Sequence, residues 1–239
     1  MSLFHAIEGA TGVPWFLWSA LFAGFLLAMT GLVVRQRLAE AQGGVVPDEG
    51  VTARNVIELL VEFLAGLAEE HMGSRWRRYF PLIGTLFFFI LFSNLLGLVP
   101  GIDGATSDAN VTWAWAIISF VLFQYVGIRE HGWAYVNHFL GPALFDVTLF
   151  GRKFHMRPLA PLYAPIEIIG HLSRVFTLAV RLLANMFADH TVVSVWLLLV
   201  PPAVPAIFMG LGVLIAFLQA YVFALLSMIY VGLALEEAH

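Results

Sequence analysis

The stretch that decides the fold is TVVSVWLLLVPPAVPAIFMGLGVLIAFLQAYVFALLSMIYVGLAL, residues 191–235. Its 45 residues lie between His190 and Glu236 and carry no charge. A helix needs about 20 apolar residues to cross a bilayer core, so this run is long enough for two crossings. Pro201, Pro202 and Pro205 divide it, because proline breaks the helical hydrogen-bond ladder. One helix is expected to end near Val200 and another to run from Pro205 to Glu236. At 1.5 Å per residue the second is roughly 45 Å long, more than the ~30 Å hydrocarbon core, so it should tilt or protrude.

Working outward, three more uncharged runs appear. Glu8 and Arg35 enclose 26 residues, Arg78 and Asp103 enclose 24, and Asp108 and Arg129 enclose 20. Just before His190 lies 168–188, apolar but carrying His171, Arg174, Arg181 and Asn185. An open sheet leaves its backbone unsatisfied in lipid. The chain therefore reads as an all-α, polytopic membrane protein with five membrane-crossing helices. The expected organisation is one membrane domain, 1–239. Its parts are a first span within 1–36, an amphipathic helix over 52–71, second and third spans over 79–129, and a tilted helical hairpin over 165–237.

Composition agrees. Hydrophobic residues make up 60% and charged residues 12%, against about 45–50% and 25% in soluble domains. Twelve basic against sixteen acidic residues leave a net charge of −4, which argues against nucleic acid as a partner. The absence of cysteine excludes disulfides, iron–sulfur clusters and thiol catalysis. MSLFHAIEGA has no basic segment, so no cleaved signal peptide is expected.

Two segments depart from the spanning pattern. In Thr52–Glu70 the polar residues Asn55, Glu58, Glu62 and Glu69 recur at helical spacing opposite Val56, Ile57, Leu60, Phe63, Leu64 and Leu67. This is an amphipathic helix, expected on the membrane surface or against a partner. Trp133–Phe150 contains His138, Pro142 and Asp146 and is expected to be an interfacial or re-entrant connection.

Ten of the twelve basic residues fall in alternate loops. Arg35, Arg37, Arg54, Arg75, Arg77 and Arg78 lie between the first and second spans; Arg129, Arg152, Lys153 and Arg157 lie between the third and fourth. The positive-inside rule puts those loops in the cytoplasm, with the N-terminus outside and the C-terminus inside.

The remaining two, Arg174 and Arg181, sit within a span. A guanidinium at mid-bilayer costs about 2.5–3.5 kcal/mol on insertion scales. Arg174, nearer the cytoplasmic end, is open to either a snorkelling or paired role or a functional one. Arg181 is 14 residues from Glu167, roughly 21 Å along the axis, too deep to snorkel easily. Glu167, His171, Arg174, Arg181 and Asn185 share one helical face, continued by Asp189 and flanked by His190. Such a stripe normally lines a water-filled or proton-relay path. Its ends are roughly 34 Å apart. Arg181 divides it into two halves, and its fixed positive charge blocks a continuous proton leak. The last helix adds Gln219, Ser227, Tyr230 and Glu236. On physics alone Gln219 reads equally as a functional group or as a helix–helix hydrogen bond.

PIEIIGHLSRVFTLAVRLLANMFADH (165–190) resembles the signature stretch of subunit a of the F-type ATP synthase membrane sector. FSNLLGLVPG (92–101), DANVT (108–112), IREHG (128–132) and LQAYVFALLSMIYVGLALEE (218–237) fit in order and spacing. The resemblance covers most of the chain from about Thr52 onward. It implies a non-catalytic stator subunit that guides protons through two offset half-channels to a rotating c-ring. Arg181 matches the family's stator arginine, which faces the ring carboxylates. Asn185 and Gln219 match polar residues beside it. Glu167 matches an acid of the cytoplasmic half-channel, where His171, Tyr230 and Glu236 are also placed. Asn94, Asp108 and Asn110 match outer polar positions, joined there by Asp189 and His190. Val175 replaces the usual proline. His190 stands where many bacterial members have Glu, and Gly212 stands where mitochondrial relatives place a carboxylate. The implied partners are the c-ring, the subunit b peripheral stalk, the other ATP synthase subunits and the lipid bilayer. The implied location is a bacterial plasma membrane. No cofactor or metal is implied.

Two rival readings are a stand-alone secondary transporter or ion channel, and an intramembrane enzyme. The first predicts inverted repeats and paired broken helices, which the sequence lacks. The second would need a metal or acid–base centre, but His171 and His190 are 19 residues apart on one helix and no HExxH motif exists.

Overall fold

A computed structural model describes residues 3–40, 50, 52–132, 145–149, 152–156, 160–199 and 203–236. Seven α-helices account for nearly all of these: α1 Leu3–Thr11, α2 Trp15–Glu40, α3 Ala53–Met72, α4 Trp76–Gly97, α5 Ala109–His131, α6 Ala160–Leu199 and α7 Ala203–Glu236. Short 3-10 turns, Gly73–Arg75 and Ala105–Ser107, join α3 to α4 and precede α5.

Local chemistry marks the helix ends. Thr52 caps α3 by accepting from the Asn55 amide, and Asp108 caps α5 by accepting from the Asn110 amide, each meeting a donor the helix itself leaves unpaired. Gly12 takes φ +72° between α1 and α2, a left-handed conformation that glycine adopts without steric cost. Pro14 follows it, and α2 begins at the next residue. The first uncharged run, 9–34, therefore starts in the last turn of α1 and continues, after the break, as α2.

Among the described residues, four helical stretches are long and apolar enough to cross a membrane: 15–39, 53–97, 109–131 and 206–235. The second joins α3, the 3-10 turn and α4. The 40-residue α6 is not among the four, and it is the helix that carries the polar stripe. Large apolar side chains face outward on several helices, among them Leu21, Phe25, Val121, Phe187 and Ile207. Contiguous apolar surface on this scale marks membrane contact, and the chain is a membrane protein.

The core is built around α4 and α7, the most extensively packed pair, with α5 and α3 against them. Ile83, Leu86, Phe87 and Ile90 of α4 are fully buried, as are Ala220, Ala224 and Met228 of α7. Phe87 meets Phe217 edge-on at 6.1 Å. Helix α3 packs its buried side, Leu64, Ala68 and Met72, against α4 and α7. Its approach to α7 is close. A Cβ on Gly232 would collide with the His71 carbonyl oxygen, so only glycine permits this contact.

Helices α6 and α7 form an antiparallel hairpin. Trp196 stacks on Phe208 at 5.3 Å, Asn185 bonds Gln219 at 2.7 Å, and Arg174 lies over Tyr230 at 5.1 Å. Each contact is eleven residues from the next on both helices, or about three turns and ~16.5 Å. The register brings the polar stripe of α6 against the few polar residues of α7.

The departure from helix is a short antiparallel pair, β1 Phe145–Leu149 and β2 Arg152–Met156, in register Phe145 to Met156. Part of the segment expected as an interfacial or re-entrant connection is thus a hairpin. Phe145, Val147, Thr148 and Phe154 are residues favoured in strands, and a two-residue connection is the common hairpin length. The rest of that segment, 133–144 and 150, lies outside the described residues.

Candidate functional site along the α6–α7 hairpin

The middle of the stripe is the most open part. Leu178, Ala179, Leu182 and Met186 form the buried face of α6. Arg181 sits at the edge of that face, half-buried. It opens onto a groove of about 500 Å³ shared with Asn185, Asp189, Leu218, Gln219 and Val222. Asn185 Nδ2 donates to Gln219 Oε1 at 2.7 Å. That bond satisfies Gln219, which is buried, as a polar group at this depth requires. Arg181 is different. Among the described residues no carboxylate lies within 4.0 Å of its guanidinium, and no hydrogen bond reaches it.

The end of the stripe expected to face the cytoplasm, the inner end, is tightly packed. Glu167 and His171 approach to 3.3 Å, one turn apart. The His171 ring is buried and stacks on Phe123 of α5 at 5.6 Å with planes 17° apart. Tyr230 of α7 tilts against the same Phe123 at 5.9 Å and carries Arg174 over its face. Nearby, Ser119 and Ser227 share a buried hydrogen bond of 2.7 Å across the α5–α7 seam.

The end expected to face outward, the outer end, borders a cavity. About 270 Å³ is enclosed by residues 97–103, Met186, Asp189, His190, Val193 and Ser194. Two polar atoms in it, Asp189 Oδ2 and His190 Nε2, are buried without a hydrogen-bond partner among the described residues. Gly97 makes the room. A Cβ there would sit 2.9 Å from His190 Nε2 and 3.3 Å from the Gly104 backbone. Asp189 lines both this cavity and the Arg181 groove, and so joins them.

Residues 16–232 match the ATP synthase A chain family. The chain belongs to that family. It is 44% identical over 216 residues to "ATP synthase subunit a 1" of Syntrophotalea carbinolica, covering 90% of this chain and 83% of that protein. Against "ATP synthase subunit a" of Bdellovibrio bacteriovorus it is 40% identical over 210 residues, 87% of this chain and 86% of that one. Against the protein of that name from Trichlorobacter lovleyi it is 38% identical over 237 residues, 99% and 93% of the two chains.

Eleven of the twelve expected site residues divide into three groups. Arg181, Asn185, Gln219 and Asp189 share the central groove, with His190 in the adjoining cavity. Glu167, His171 and Tyr230 gather at the inner end. Asn94, Asp108 and Asn110 line neither the groove nor the cavity. Asn94 is fully buried, accepts from Thr106 Oγ at 2.7 Å and reaches the Ala216 carbonyl at 3.4 Å. It therefore ties α4 to α7 and to the turn before α5. Asp108 and Asn110 belong to the α5 cap, where Asp108 accepts at 2.7 Å and 2.9 Å from the Asn110 amide and side chain. Glu236 is the last residue of α7.

The residue that sequence reasoning missed is Asp103. It lines the outer cavity with Asp189 and His190. The signal was present: Asp103 is the charge that closes the 79–102 run. At Gly212 a Cβ would fall 2.5 Å from Leu98 Cδ2, so a side chain there would require the tip of Leu98 to shift.

Proposed function

We propose that this chain is the proton-guiding stator subunit of a rotary ATP synthase. It supplies two offset half-channels and an arginine that faces the carboxylates of a rotating c-ring. The observation that carries this reading is Arg181: a guanidinium with no partner among the described residues, half-buried beside an open groove, between two polar clusters. A cation in such a place calls for an anion from outside the chain. A ring carboxylate passing along the groove meets that need.

In this mechanism α6 crosses the membrane as a fifth span, with the N-terminus of the chain outside and the C-terminus in the bacterial cytoplasm. A proton moves from the outer cavity through His190 and Asp189 into the groove. There it neutralises a ring carboxylate, which then turns into lipid. After nearly a full turn the carboxylate reaches the inner cluster. Glu167 and His171, with Glu236 at the inner end of α7, take the proton toward the cytoplasm. The bare carboxylate then passes Arg181, whose charge favours the ionised form and prevents return of the proton. The driving force is about 2.3 kcal/mol per charge per 100 mV. The chain itself relays protons and carries out no other bond-making or bond-breaking step. The peripheral stalk, through subunit b, would hold it against the ring.

This reading predicts that the purified chain alone, in vesicles under a potential, passes no protons, and that adding the c-ring restores passage. Transport by the chain alone would favour a self-contained channel or transporter instead.

A further inference from the structure

The outer cavity is not sealed by α4 and α6 alone. Helix α1 folds back over its rim. The Leu3 amide donates to the Gly101 carbonyl at 2.9 Å, within the segment that walls the cavity. Phe4 is buried and meets Phe22 of α2 at 6.0 Å, which fixes the helix in place. His5 is held edge-on to Trp15 at 5.1 Å. Its Nδ1 is 3.2 Å from Glu8 Oε2, and its Nε2 is 3.8 Å from Asp103 Oδ2. Ser19 of α2 anchors the Asp103 backbone, donating to its carbonyl at 2.6 Å.

A line of titratable groups therefore runs inward. Glu8 and His5 are about 40% exposed, Asp103 is 30% exposed and lines the cavity, and His190 and Asp189 lie within it. The cavity holds unpartnered buried polar atoms. At about 30 Å³ per molecule its volume has room for several waters, which can bridge Asp103 to those atoms.

We propose that Asp103 is the proton-accepting group at the outer mouth, and that His5 and Glu8 of α1 are positioning residues that hold and supply it. This rests on the stator reading above and adds three residues to its outer path. Asp103 takes a proton from water or from His5 and passes it through the cavity water to His190 or Asp189. His5 is reprotonated from the outside. No net charge is stored after each transfer.

The chain has no cysteine, so access can be read directly in the assembled complex. Asp103→Cys should react with a membrane-impermeant, charged thiosulfonate added on the outer side, and the reaction should be slowed when the reagent is added from the cytoplasmic side. Passive proton conduction through the membrane sector, stripped of its catalytic head, should fall about tenfold in Asp103→Asn, equal to ~1.4 kcal/mol on the barrier. Asp103→Glu should restore most of it. His5→Gln and Glu8→Gln, on exposed positions, should each reduce conduction by a smaller factor without lowering the amount of assembled subunit. An Asp103→Cys variant that does not react with the reagent, or Asp103→Asn conducting like the parent, would overturn this assignment while leaving the stator reading intact. A parent membrane sector that does not conduct at all would remove both.

Discussion

The two ends of the polar stripe on α6 are built differently. At the inner end Glu167, His171, Phe123, Tyr230 and Arg174 form a packed stack in which each side chain has a neighbour. At the outer end Asp189 and His190 face a cavity with polar atoms unpaired. The same contrast separates the two arginines of α6, seven residues apart. Arg174 has an aromatic face to rest on, whereas Arg181 has an open groove. A structural ion is enclosed by its own chain. An ion that acts on a moving partner is left open on one side. The difference gives Arg174 an aromatic packing contact and leaves the Arg181 side chain facing the groove, as the proposed role of Arg181 requires.

Three substitutions sharpen this contrast. The largest effect is expected at Asp189, which lines both the cavity and the groove. Asp189→Asn should reduce ATP-driven proton pumping by about 10²-fold, the low end of what a positioned proton-transfer group supplies. Pumping near the parental rate would show that the cavity and groove are not joined through it. Next is the central bond. Gln219→Ala leaves Asn185 unpaired beside the groove and should cost about 1–3 kcal/mol of stability, measured as a lowered unfolding midpoint in detergent. The smallest effect is expected at Arg174. Arg174→Gln loses a contact with Tyr230 worth about 0.5–2 kcal/mol, and pumping should stay within a few-fold of the parent. A loss as deep as that at Asp189 would break the distinction between the two arginines.

Much of this was legible in the sequence because membrane helices are written in long uncharged runs. The helical face shared by Glu167, His171, Arg181 and Asn185 follows from spacing alone. The hairpin contact between Asn185 and Gln219 was open in the sequence, since a lone glutamine serves packing and function equally. The structure makes it a hydrogen bond at the edge of the groove. What spacing could not supply was contact between distant segments. Asp103 reaches the cavity of His190 across 87 positions, and α1 reaches Asp103 across nearly a hundred. Asn94 and Asp108 are polar residues at the outer side, yet one knits helices and the other caps one. Residue type does not distinguish these roles from lining a path. The break between α1 and α2 is a related case, set by Gly12 and Pro14 inside a run that charge alone reads as continuous.

The central claim is that Arg181 acts on a partner's carboxylate rather than within its own fold. The direct measurement is ATP-driven proton pumping by the complete synthase in vesicles, with Arg181→Ala beside the parent at matched levels of assembled subunit. The account predicts normal assembly and no pumping in the variant. Full pumping by Arg181→Ala would contradict it.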